Sequence, residues 1–197
     1  MRYEPGRDDV ALAADELRPG LTILVYGSVA IAAISAATLP WPWTVASTAL
    51  GALMIAGADI DARTYLLPDA ITWGAMLLGT VVALVLAPID PWRGLAAAVA
   101  RAAGTGLILG LLRWGYAGLK GREGLGLGDV KLVAAAGAWL PVDVIPVCFG
   151  LATGGALLTV LLAGCSGREI SPTARLPFGA FLCPALRLVF YCSVLSG

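Results

Sequence analysis

The chain contains no histidine. That excludes a Ser-His-Asp triad, a Cys-His pair and any imidazole-based metal site. Charge is also scarce: 13% of the 197 residues are Asp, Glu, Lys or Arg, where a soluble domain carries about 25%. Basic and acidic residues balance at 13 each, so no net positive field recommends nucleic acid as a partner. The four cysteines, Cys148, Cys165, Cys183 and Cys192, form no CxxC pair, and each lies in or beside an apolar stretch. They read as small apolar packing residues, not as metal ligands or a disulfide. The first 20 residues are polar and include Asp8, Asp9, Asp15 and Glu16, unlike a signal peptide.

What remains is apolar. Hydrophobic residues make up 59% of the chain, and the mean hydropathy is +0.86. The expected fold is all-α: a polytopic integral membrane helical bundle of about seven apolar segments. Residues 1–20 read as a short cytoplasmic arm and 21–197 as one membrane-embedded domain. Long spans are expected near 21–39, 44–58, 70–87, 94–112, 144–163 and 176 to the C-terminus, since roughly 20 helical residues cross a ~30 Å hydrocarbon core. Turns are expected at Pro40-Trp41-Pro42-Trp43 and Pro88–Trp92, with polar loops at 62–69, 113–128 and 164–175. Tyr116 and the tryptophans read as interfacial anchors. The seventh apolar piece, Val130 to Leu140, is only about 18 Å long as a helix and cannot span alone. Its start must therefore lie below the surface in a cleft covered by protein or filled with water.

Orientation follows from the basic residues. With seven spans, Arg2, Arg7, Arg18, Arg63, Arg113, Lys120, Arg122, Lys131, Arg168 and Arg175 fall on one side, and only Arg93 on the other. The positive-inside rule makes the first side cytoplasmic. Arg101 and Arg187 lie inside spans, and Arg101 needs a partner on another helix or a path to the surface.

Two acidic stretches fall on the cytoplasmic side. One holds Asp59, Asp61, Pro68 and Asp69; the other holds Gly126, Gly128, Asp129 and Lys131. Carboxylates beside membrane segments are costly and mark function by default. Two brought together cannot both ionise easily, so one takes a proton from water while the other, protonated, polarises a carbonyl. That is aspartic-protease chemistry, and it calls for no cofactor and no metal. Gly126 and Gly128 leave room for a substrate strand beside Asp129. A helix starting after Asp129 favours its ionised form, making it the lower-pKa member of the pair. Pro68-Asp69 suits a helix start, with Asp69 as the cap. Spacing alone leaves open whether Asp59 or Asp61 is the partner. Lys131 either neutralises Asp129 or snorkels to the interface.

At these residues the chain resembles the prepilin peptidases, or type IV leader peptidases. Ile60-Asp61 through Leu67-Pro68-Asp69 to Thr72 is similar to the family's first motif. Glu123-Gly124-Leu125-Gly126-Leu127-Gly128-Asp129-Val130-Lys131-Leu132 is similar to its GxGD motif, and Leu176-Pro177-Phe178-Gly179 to its Pro-Phe-Gly opening of a late helix. The resemblance covers roughly residues 45–185. It implies an aspartyl endopeptidase with Asp61 and Asp129 as the catalytic pair, in a bacterial inner membrane with its active site facing the cytoplasm. It further implies prepilin or pseudopilin substrates, cut after a glycine that ends a short basic leader. The family's long members carry an N-terminal domain with paired CxxC motifs and methylate the product. The expectation here is the short form, without methyltransferase activity or zinc. Two other classes compete with a peptidase: an ion-coupled transporter, which would show inverted repeats, and a non-catalytic scaffold of a pilus or secretion assembly.

Overall fold

In the computed structural model, residues 18–87, 89–120, 126–165 and 176–196 are described. They form seven helices: α1 (Leu21–Thr38), α2 (Trp41–Thr64), α3 (Asp69–Val85), α4 (Pro91–Lys120), α5 (Leu127–Trp139), α6 (Ile145–Cys165) and α7 (Phe178–Ser196). Five of them (α1, α2, α4, α6 and α7) are long and apolar enough to cross a membrane. The chain is an all-α, multi-pass membrane bundle. Most of residues 1–20 and 164–175, with Glu123, lie outside the described residues.

The helix ends depart from the sequence reading in an instructive way. The expected turn at Pro40-Trp41-Pro42-Trp43 shrinks to Leu39-Pro40, and α2 begins at Trp41 with proline in its first turn. That is permitted because first-turn N–H groups have no intrahelical acceptor. At its other end α2 runs through Asp59 and Asp61 to Thr64, so the expected 62–69 loop is only 65–68. It stops at Tyr65, a left-handed residue at φ 56°. The expected loop at 113–128 is helical as far as Lys120 and again from Leu127. Residues 113–120 include Gly115 and Gly118 but no proline, so no residue there blocks the helix outright.

Contacts between helix ends show which of them share a side. The end of α2 and the starts of α3, α5 and α7 therefore meet at one end of the bundle, where the polar contacts described below join them. The short α5, about 20 Å long, lies in the middle. It packs on α3 and α4 and touches α7. Leu132, Val133, Ala135, Ala136 and Ala138 are buried. A helix too short to cross is tolerated because protein, not lipid, covers its end.

Its small residues set the spacing. A Cβ on Gly106 of α4 would stand 3.1 Å from the Ala134 side chain. Arg101 donates from Nε to the Gly137 carbonyl at 3.1 Å, which answers the need of this intraspan cation for a partner. Trp139, expected at an interface, is instead buried. It donates to the Ala75 carbonyl at 2.7 Å and meets the Phe190 ring edge-on at 4.9 Å. Trp41, Trp92 and Trp114 are exposed, as anchors would be. Cys148 and Cys183 are buried packing residues, whereas Cys165 and Cys192 are exposed on the outside of their helices.

Candidate active site

Asp61 occupies the last turn of α2 and is buried at 4% exposure. A carboxylate so placed needs hydrogen-bond donors. The Ala180 amide, in the first turn of α7, donates to Asp61 Oδ2 at 2.8 Å. Gly179 lies against the same carboxyl group, and a Cβ there would be 2.9 Å from Oδ2. Asp59, two residues earlier, faces elsewhere. Its Oδ2 accepts from the Gly20 amide and from Arg63 Nη2, each at 2.8 Å, and Arg63 also donates to the Arg18 carbonyl at 2.7 Å. Asp59 thus ties the start of α1 to the end of α2, and the structure separates two carboxylates that spacing could not.

Asp129 is the third residue of α5, not the residue before it, and is half-buried. Its Oδ2 reaches back to the Gly126 amide at 3.3 Å. Burial first, and the nearby charge of Asp61 second, push its carboxyl up to about 6 against the pull of that amide. The expectation that the helix start would make Asp129 a low-pKa acid is therefore corrected: one long hydrogen bond and a dipole do not offset desolvation and a like charge.

This has a consequence for stability. A carboxyl that titrates higher in the folded state than its ordinary 3.8 binds protons more tightly when folded. Its ionisation costs nothing below pH 3.8, and the cost grows as pH rises through about 6. Thermal unfolding followed from pH 4 to 7 should show the wild type losing stability relative to Asp129→Asn. Parallel curves would mean that Asp129 carries no such cost.

The other residues singled out in the two motifs have different partners from those expected. Pro68 precedes α3, but Asp69 does not cap it; its Oδ1 pairs instead with Lys131 Nζ at 2.6 Å. Lys131 therefore neither neutralises Asp129 nor reaches for lipid. The pair joins the start of α3 to the second turn of α5, and with Asp69 67% exposed it contributes at most about 1 kcal/mol. Gly128 does not offer an open face to a substrate strand. A Cβ there would stand 3.1 Å from Leu67 Cβ, so this glycine lets the 65–68 loop close on α5. Gly126 is exposed. The sequence reading missed the donors from α7: Leu-Pro-Phe-Gly marked a helix start, yet nothing in it pointed to Asp61.

The arrangement places two carboxylates from separate motifs within electrostatic reach at one end of a membrane bundle. Residues 48–167, more than half of the chain, match the type IV leader peptidase family. A prepilin leader peptidase/N-methyltransferase of Dickeya chrysanthemi is 34% identical over 92% of this chain and 60% of its own length. One of Burkholderia pseudomallei is 35% identical over 81% of this chain and 48% of its own. The leader peptidase HopD of Salmonella typhimurium is 38% identical over 64% of this chain and 78% of its own. This chain thus spans about half to three-fifths of the two longer relatives. No solved structure matches it. With the two acidic motifs and the Pro-Phe-Gly turn meeting at one end of the bundle, the chain belongs to the type IV leader peptidase family.

Proposed function

We propose that the chain is an aspartyl endopeptidase of the membrane that removes the short basic leader of type IV prepilins or pseudopilins. The cut falls after a glycine, at the cytoplasmic face. The observation that carries this reading is the pairing of Asp61 with Asp129 in a chain of this family: Asp61 is buried on the α7 amides, and its charge reaches Asp129. The names borne by the similar proteins supply the substrate class. The ten-to-one distribution of basic residues supplies the side of the membrane.

The chemistry needs one proton shared between two carboxyl groups. The ionised one takes a proton from water as the water oxygen bonds to the scissile carbonyl carbon. The protonated one gives its proton to the carbonyl oxygen. The tetrahedral diol then collapses: the C–N bond breaks, the amine leaves with a proton from the first carboxyl group, and a hydroxyl proton returns to the second. The elevated carboxyl of Asp129 keeps a protonated fraction closer to neutral pH than an ordinary aspartate does.

The test is cleavage of a candidate prepilin in membranes that contain wild type, Asp61→Asn or Asp129→Asn protein at matched expression. Wild type should convert the prepilin to a product whose N-terminal sequence begins after the leader glycine, and neither variant should. Processing at the wild-type rate by either variant would remove that residue from the mechanism. An intact prepilin in all three membranes would turn the reading toward a transporter or scaffold.

A further inference from the structure

We propose that the opening turn of α7, Pro177 to Ala180, is a positioning element of the active site: the Ala180 amide fixes the Asp61 carboxyl group, and Gly179 gives it room. The inference rests on the reading of Asp61 as catalytic. It adds a third segment to the two acidic motifs.

The geometry is specific. Asp61 and Ala180 are 119 positions apart, so local chain geometry does not bring them together. First-turn amides of a helix lack intrahelical acceptors and are free to serve an outside group. The Ala180 amide divides itself between Asp61 Oδ2 at 2.8 Å and the Pro177 carbonyl at 3.2 Å, with the shorter contact to the carboxylate. The carboxyl group lies across Gly179: a Cβ there would be 2.9 Å from Oδ2, 3.0 Å from Cγ and 3.4 Å from Oδ1. Oδ2 and Cγ would have to give way to admit a methyl group. Moving them breaks the hydrogen bond to Ala180 and changes the approach to Asp129.

The same seam continues one turn deeper. Four residues back along α2 is Gly57, and four residues on along α7 is Cys183; a Cβ on Gly57 would lie 3.0 Å from Cys183 Sγ. Gly57 and Gly179 thus hold the two helices at close range at successive turns. Only the outer of the two contacts involves a carboxyl group. This supplies an internal control, because crowding at Gly57 disturbs packing without touching Asp61.

The experiment compares Gly179→Ala, Gly57→Ala and Ala180→Pro. The last deletes the donor in a first turn, where proline fits the helix backbone, and sets its ring Cδ against Asp61 Oδ2 in place of the N–H. Steady-state cleavage is measured with a purified prepilin that the wild type cleaves. Displacing a catalytic group by about 1 Å costs about 100-fold. Gly179→Ala and Ala180→Pro should therefore lose about 100-fold in kcat with KM within about 3-fold of wild type, and Gly57→Ala should keep kcat. Wild-type kcat in Gly179→Ala would overturn the proposal, as would an equal loss in Gly57→Ala, which would reduce the seam to packing.

A second readout needs no cleavage. Gly179→Ala should lower the unfolding temperature of the purified protein in the wild-type background. It should lower it less in an Asp61→Ala background, where the carboxyl group is gone. Equal losses in both backgrounds would mean that the methyl group collides with something other than Asp61. If wild type cleaves no prepilin, the proposed activity fails, while this thermal comparison still decides whether Gly179 and Asp61 are coupled.

Discussion

Asp61→Asn and Asp129→Asn should each lower kcat by about 10⁴-fold or more, and the double variant should be no slower than the worse of the two. Catalytic groups that act as a unit are grossly non-additive. The physical reason here is proton bookkeeping. Water is activated only if one carboxyl group accepts its proton while the other supplies one to the carbonyl oxygen. An amide at either position keeps the shape and removes the exchange, so the surviving carboxyl group has no partner with which to alternate. The prediction separates Asp61 from its neighbour. Asp59 spends its acceptor on the Gly20 amide and Arg63, so Asp59→Asn should retain most of the activity. Single-turnover cleavage of a fluorescent prepilin peptide in vesicles provides the range. Losses that simply multiply in the double variant would show two independent contributions. A tenth of wild-type activity in either single variant would end the two-carboxylate mechanism.

The same residues show how far the sequence could be read. Seven apolar segments, their order and the shared end of both acidic motifs were legible, because proline and glycine at 19–20, 141 and 177 mark boundaries and hydropathy marks spans. The overrun of α2 was not. Asp-Ile-Asp-Ala-Arg-Thr has the charge of a loop, and it stays helical because distant groups satisfy it: Gly20 serves Asp59, and Ala180 serves Asp61. The helix then ends on a left-handed tyrosine, where glycine would have given a signal. The site shows the same limit. Spacing left Asp59 and Asp61 equivalent, and only the family resemblance chose Asp61. The helix start at Asp129 suggested a low pKa, but burial and a like charge from 68 positions away act the other way. Gly128 looked like room for substrate, and Leu67 fills that room. Local chemistry was readable in each case; the long-range partner that decided its sign was not.

The largest structural effect is expected at Gly137, near the C-terminal end of α5. Here α4 and α5 run backbone against backbone. A Cβ on Gly137 would stand 2.6 Å from the Arg101 carbonyl oxygen and 2.8 Å from its carbon, main-chain atoms of an α-helix that cannot swing aside. The crossing is stitched on both sides: Arg101 Nε donates to the Gly137 carbonyl at 3.1 Å, and Thr105 Oγ1 lies 3.2 Å from the Val133 carbonyl. Small residues at membrane helix crossings allow such approach, and van der Waals contact and hydrogen bonds supply the attraction that water supplies elsewhere. Gly137→Ala should therefore cost about 3 kcal/mol, the upper end of overpacking effects, despite the gain of about 1 kcal/mol that alanine brings to a helix interior. Gly150 is the matched control. It lies on an exposed face of α6, and a Cβ there meets nothing within 4 Å. Gly150→Ala should be neutral or slightly stabilising, because only the propensity gain remains. Unfolding of the two purified variants in mixed detergent isolates the collision as their difference. Similar stabilities would mean that α4 and α5 are not held this close. A large difference would also carry into the proposed activity: Asp129 sits eight residues before Gly137 on the same short helix, so a helix pushed off Arg101 takes the Asp129 carboxylate with it.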